Sequence, residues 1–191
     1  MAHVSIIGTG NMGQAIASVV TRGGNTGELI GHSDTGKPVT GEIVVLAVPY
    51  PAVADVLATR GDQLAGKVVV DITNPLNFET FDSLTVPADG SAAAEIAASL
   101  PHSRVLKAFN TNFAATLASG TVGDLPTTVL IAGDDAEAKS LLADVLTAGG
   151  LRAIDAGSLR RARELEALAF LQITLAAQEK MPWTGGFAVV A

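Results

Sequence analysis

Six short apolar runs rich in Val and Ile recur along the chain, at residues 3–8, 28–32, 43–48, 68–72, 104–108 and 127–132. Most are continuous rather than alternating, the pattern of strands buried on both faces of a parallel sheet. Between them lie segments with helical spacing at 10–22, 51–60, 92–100 and 135–148, and a long alanine- and leucine-rich one at 158–178. A short seventh strand is expected at 152–155, closing an edge. Strands alternating with helices predict an α/β fold, a Rossmann-type doubly wound and mostly parallel sheet. No Ser- or Gly-rich linker separates two cores, so a single domain over 1–191 is expected, with 78–90 as a loop carrying local turns.

One connection departs from the full pattern. Between the second run and the third lie ten residues, Ser33 to Glu42, too few for a crossover helix plus a further strand. Extended at ~3.3 Å per residue, they still reach back along a strand of ~20 Å and past the first strand. The usual third strand and its helix are therefore expected to be reduced or missing. In the numbering of a complete unit, the sheet should begin 2-1-4, leaving the adenosine side of any nucleotide site open.

The first run breaks into glycines. Residues 4–13 read V-S-I-I-G-T-G-N-M-G, with Gly8, Gly10 and Gly13 at the spacing G-x-G-x-x-G between a strand and a helix. Gly8 permits the tight turn, Gly10 lets backbone approach a phosphate, and Gly13 lets the helix close onto the strand. Amides opening the helix then face an anion. A plain structural turn is the competing reading, and the strand before and helix after weigh against it. The pattern predicts a dinucleotide diphosphate site.

The tip of the second strand bears on which nicotinamide nucleotide is favoured, because an acid there bonds the ribose diol and repels a 2′-phosphate. Here it reads Gly31-His32-Ser33-Asp34-Thr35-Gly36-Lys37. Glu28 is at the wrong end and Asp34 slightly past the usual position, whereas His32, Ser33 and Lys37 can donate to a phosphate. NADP is expected over NAD, although a solvated His32 and a surface Lys37 fit as well. Three polar turns at later strand ends should ring the nicotinamide: Ala47, Val48, Pro49 and Tyr50; Asn74 and Pro75; Asn110, Thr111 and Asn112. Each alone also fits ordinary turn chemistry. Only Lys107 and Tyr50 offer proton chemistry nearby, and Lys107 is expected to pair with an acid such as Asp71. No catalytic residue is assigned. An acceptor needing no strong protein acid, such as a flavin-type ring, suits this mouth best.

Composition narrows the partners. A formal charge of -7, with twelve Lys and Arg, argues against sequence-independent nucleic-acid binding. Cys is absent, removing thiolate chemistry and Cys-ligated metals. His3 and His102 lack metal-ligand spacing, so no metal is expected. No basic-apolar leader and no apolar run of ~20 residues is seen, so the expectation is a cytoplasmic protein that does not enter the membrane.

The runs I-G-T-G-N-M-G-Q-A, L-A-V-P-Y, V-V-V-D-I-T-N-P-L, K-A-F-N-T-N-F-A, A-G-D-D and D-A-G-S-L-R-R-A-R-E-L-E together resemble compact dinucleotide-binding oxidoreductases related to NADPH-dependent deazaflavin coenzyme reductase. The resemblance covers essentially the whole chain. It implies that Thr9, Gly10, Asn11 and Met12 contact diphosphate and ribose. It also implies that His32, Ser33 and Lys37 occupy the places of a Ser, an Arg and a Lys that hold the 2′-phosphate. Two of those three are changed, and Ser33 in place of Arg removes a bidentate fork. Asn110 stands where the family has a His lining the acceptor pocket. The tail carrying Trp183 and Phe187 resembles a segment that approaches the acceptor, partly from a neighbouring subunit. Core or dimer packing is the alternative for both residues. The expectation is an NADP(H)-dependent oxidoreductase, a homodimer, exchanging hydride with a deazaflavin or flavin as the small-molecule acceptor. The alternatives are an imine reductase like pyrroline-carboxylate reductase, disfavoured because no separate helical domain follows, and a non-catalytic NADP(H) sensor.

Overall fold

A computed structural model describes residues 1–190. Strands β1 (His3–Ile7), β2 (Thr26–Ile30), β3 (Ile43–Leu46), β4 (Val68–Asp71) and β5 (Arg104–Lys107) follow one another in parallel. A small hairpin of β6 (Thr121–Val122) and β7 (Leu125–Pro126) stands apart. With β8 (Thr128–Gly133) and β9 (Arg152–Gly157) the main sheet has the order β2-β1-β3-β4-β5-β8-β9. No helix lies between β2 and β3, and β3 pairs directly with β1 on the side away from β2, as the ten-residue connection predicts.

The helices are α1 (Asn11–Arg22), α2 (Val53–Arg60), α3 (Ala92–Ser99), α4 (Ala114–Ser119), α5 (Ala136–Ala148) and α6 (Ala162–Ala177). Ser91 and Asp135 start α3 and α5 by accepting the amides of Ala94 and Ala138 on their side chains. Alternate strand residues feed two cores, one on each face. Val45, Val70 and Leu106 pack with Ile16 and Val19 of α1 and Leu142 of α5. Val44, Leu46 and Val69 pack with Val53 of α2 and Ile96 of α3.

The sheet is not wholly parallel, since β8 runs antiparallel to β5. The six residues of α4 rise only ~9 Å, too little to carry the chain back to the far edge, so β8 starts at the edge where β5 ends. Neither α4 nor the hairpin stands out in the sequence. The helix expected over 158–178 is divided, because a 3-10 turn at Leu159–Arg161 precedes α6. Strand β9 runs two residues beyond 155. Among the described residues no helix is long and apolar enough to cross a membrane.

An ion pair ties α5 to β9. Lys139 Nζ lies 2.8 and 2.7 Å from the two oxygens of Asp155, which also accepts the Gly157 amide. These hydrogen bonds hold the Asp155 carboxyl below its ordinary range. A depressed folded value means that the stability it contributes is complete above the ordinary carboxylate range and is lost as pH falls through the depressed value. Asp155→Asn is expected to flatten slightly the fall in melting temperature between about pH 5 and pH 3. The effect is small because the carboxylate is largely exposed. Identical acid limbs in both proteins would contradict it.

Candidate functional site

The β1–α1 turn shows why each of its glycines is there. A Cβ on Gly8, whose φ is 125°, would stand 2.0 Å from the Ala47 carbonyl oxygen, and one on Gly13 would stand 2.1 Å from that of Gly8. These two close contacts let the turn seat against the end of β3 and against itself. Gly10 differs. It is the N-cap of α1, makes no side-chain cap bond, and has nothing within 4 Å of where its Cβ would be. The first α1 amides have no intrahelical acceptor, and no acid lies in that turn. Open space before a row of amide donors fits a dinucleotide diphosphate.

At β2, Glu28 sits mid-strand and pairs with Lys37 at 3.1 Å. Burial opposes that charge, but Lys37, Thr40 and His3 leave the carboxyl below its ordinary value. Lys37 Nζ also donates to the Leu29 carbonyl at 2.8 Å, capping the edge strand, so its ammonium is turned back rather than toward the tip. His32 and Ser33 are exposed at the tip. Arg60, buried at the end of α2, donates to the carbonyls of Asp34 and Lys37 from beneath the loop. Asp34 folds back, its Oδ2 accepting the Gly31 amide at 2.8 Å.

Beyond the carboxyl ends of β4 and β5, facing the start of α1, lies a cavity of about 430 Å³. Asn11 and Met12 line it from α1, Ile72 and Asn74 from beyond β4, Asn110, Asn112 and Phe113 from beyond β5, Ile173 from α6 and Trp183 from the tail. Phe109, buried with φ 63°, makes the turn from which Asn110 follows. The amide network has a defined sense. Asn110 Nδ2 donates to the Leu165 carbonyl and to Asn74 Oδ1, Asn74 Nδ2 donates to the Asn110 carbonyl, and Asn112 Nδ2 donates to the Thr128 carbonyl. Backbone carbonyls only accept, so these bonds fix which way each amide of Asn110 and Asn112 points. Trp183 packs on Phe113 with ring centroids 4.9 Å apart and remains half exposed over the cavity.

Other candidate residues lie outside this lining. Tyr50 packs with the α2/α3 core, and its hydroxyl donates to Glu95; burial and that carboxylate push its pKa up. Ala47 abuts Gly8, while Val48 and Pro49 lead into the turn that begins α2. The Pro75 carbonyl accepts Thr85, pinning the 78–90 loop. The Thr111 carbonyl accepts Gln172 Nε2, and Gln172 Oε1 accepts the Phe187 amide, so these two residues anchor the tail.

Beneath the strand-end loops lies a buried ion cluster. Lys107 Nζ meets Asp71 at 2.8 Å, as expected from sequence, and also the Thr73 carbonyl at 2.6 Å and Glu166 at 2.8 Å. Glu166 in turn accepts the Ala92 and Ala93 amides at the start of α3. Burial pushes the Glu166 carboxyl up against the pull of Lys107. The buried partners of Glu166 and Gln172 are not evident from sequence, yet a signal exists: both fall on the buried stripe 162, 165, 166, 169, 172, 173, 176 of α6. A polar residue on such a stripe needs a buried partner.

Comparison with known proteins identifies the family and the shared fold. The model of the family "NADP oxidoreductase coenzyme F420-dependent" matches residues 29–75. An F420-dependent NADP reductase of Methanocaldococcus jannaschii is 30% identical over 171 residues, 87% of this chain and 76% of that one. The rat metalloreductase STEAP3 is 39% identical over 112 residues, 59% of this chain but 22% of its own. A crystal structure of an Arthrobacter sp. FB24 protein, assigned as an F420-dependent NADP reductase, superposes with a TM-score of 0.84 over the whole of both chains at 24% identity, which shows the shared fold. The chain belongs to the coenzyme F420-dependent NADP oxidoreductase family and is an NAD(P)-dependent oxidoreductase.

Proposed function

We propose that the protein exchanges hydride between NADP(H) and a deazaflavin or flavin-like ring held in the cavity over α1. The observation that carries this reading is the lining itself, which contains no Asp, Glu, His, Lys, Arg or Tyr. Reduction of a ketone or alcohol oxidation calls for a placed acid or base. Transfer between two rings calls mainly for alignment and exclusion of water. The curated relatives named F420-dependent NADP reductases support the same acceptor class.

On this reading the chain's residues take the following roles. Gly8, Thr9, Gly10, Asn11, Met12 and Gly13 hold the diphosphate, and His32 and Ser33 meet the adenosine ribose. Met12 and Ile72 offer an apolar bed, and Asn74, Asn110 and Asn112 orient amide and carbonyl groups. Trp183 covers the ring from solvent. The bound nicotinamide nucleotide supplies or receives the hydride. The exposed apolar residues Leu171, Trp183, Phe187 and Val190 on α6 and the tail support a homodimer.

A screen following NADPH oxidation against a 5-deazaflavin, riboflavin, a quinone and a small cyclic imine tests the acceptor. Turnover is expected with the deazaflavin or riboflavin. Turnover with the imine alone would overturn the reading.

A further inference from the structure

The loop after β2 places a carboxylate where sequence spacing does not put one. Asp34 lies four residues beyond Ile30, the end of β2, yet its Oδ2 accepts the amide of Gly31, the first residue past that strand. A Cβ built on Gly31 would stand 3.4 Å from Asp34 Oδ2 and 3.5 Å from Thr9 Cγ2. The carboxylate therefore sits at the strand tip, on the side of the β1–α1 phosphate turn. It is exposed, and its Oδ1 has no protein partner among the described residues.

No cation is paired with the Asp34 carboxylate among the described residues. Lys37 is held by Glu28 and the Leu29 carbonyl. Arg60, only 7% exposed, donates to the Asp34 and Lys37 carbonyls from beneath and so fixes the shape of the loop. His32 and Ser33 offer no guanidinium. A carboxylate at this tip accepts the O–H groups of a vicinal diol, whereas a 2′-phosphate brings negative charge against it.

Given the proposed dinucleotide site, we infer that Asp34 sets the choice of nucleotide, and that the site takes the unphosphorylated dinucleotide NAD(H) as well as NADP(H). Asp34 acts on the ribose rather than on the reacting ring, so its effect falls on affinity.

Calorimetric titration of NAD+ and NADP+ into the wild-type protein, Asp34→Asn and Asp34→Ser tests this without any hydride acceptor. An amide at 34 keeps an oxygen for the Gly31 amide while removing the charge. Wild-type affinities for the two nucleotides are expected to agree within about tenfold. In both variants NADP+ should bind more tightly and NAD+ more weakly, moving the ratio by about tenfold. A loop that was merely loosened would weaken both. A wild-type preference for NADP+ beyond about tenfold, or a ratio unmoved in the variants, overturns the inference. Binding by neither nucleotide overturns it together with the dinucleotide site, whereas an error in the acceptor class alone leaves these titrations unchanged.

Discussion

Lys107→Met is expected to destabilise the protein by about 3–5 kcal/mol, the range found when one partner of a buried ion cluster is removed. Lys107 and Asp71 are fully buried and Glu166 is 1% exposed. Methionine matches the bulk of the stem but leaves two carboxylates and the Thr73 carbonyl without their shared donor. Glu166 keeps the Ala92 and Ala93 amides whereas Asp71 keeps only that of Thr73, so Asp71 bears the larger loss. The double variant Lys107→Met with Asp71→Asn should recover part of the deficit, because one uncompensated charge is gone while the amide oxygen still accepts the Thr73 amide. Denaturant unfolding of the three proteins measures both effects. A loss below about 1 kcal/mol for Lys107→Met would contradict the cluster's structural role. The consequence reaches the site, since Asn110 follows β5 closely and hangs on the Leu165 carbonyl next to Glu166.

Gly10→Val is expected to leave the fold intact and to weaken dinucleotide binding by about a hundredfold. Its φ of -71° and ψ of -176° suit any residue, and nothing lies within 4 Å of the new Cβ, so the melting temperature should change little. The branched side chain instead occupies the space in front of the α1 amides. Gly13→Ala provides the contrast, because its Cβ would collide with the Gly8 carbonyl at 2.1 Å and stability itself should fall. Thermal melts and calorimetry with NADP+ separate the two cases. Unchanged affinity in Gly10→Val would place the diphosphate elsewhere.

What could be read from the chain follows the range of the interactions involved. The strands at the centre of the sheet and the β1–α1 turn were legible because apolar runs and glycine spacing are local signals. The missing third strand was legible because ten residues cannot hold it. The reversal at β8 was not, since it depends on α4 being too short to cross the sheet, and six residues such as A-A-T-L-A-S carry little helical periodicity. In the site, Asn11, Met12, Asn74, Asn110, Asn112 and Trp183 do converge on one cavity. Tyr50 does not, because its ring is drawn to the opposite core and to Glu95, forty-five residues away. Asp34 read as misplaced because Arg60, from α2, shapes the loop that brings it back. Glu166 was hidden because its partners are remote, Lys107 lying 59 residues earlier in the chain and the Ala93 and Ala92 amides 73 and 74.

On the proposed function, the amides opening α1 hold a dinucleotide diphosphate and so deliver the nicotinamide to the carboxamide-lined cavity. A crystal structure of the protein with NADP+ tests it most directly. Diphosphate oxygens are expected within hydrogen-bond reach of the amides following Gly10, and a nicotinamide ring between Met12 and the Asn74–Asn110 pair. A diphosphate bound away from α1, or a ring that leaves this cavity empty, would contradict it.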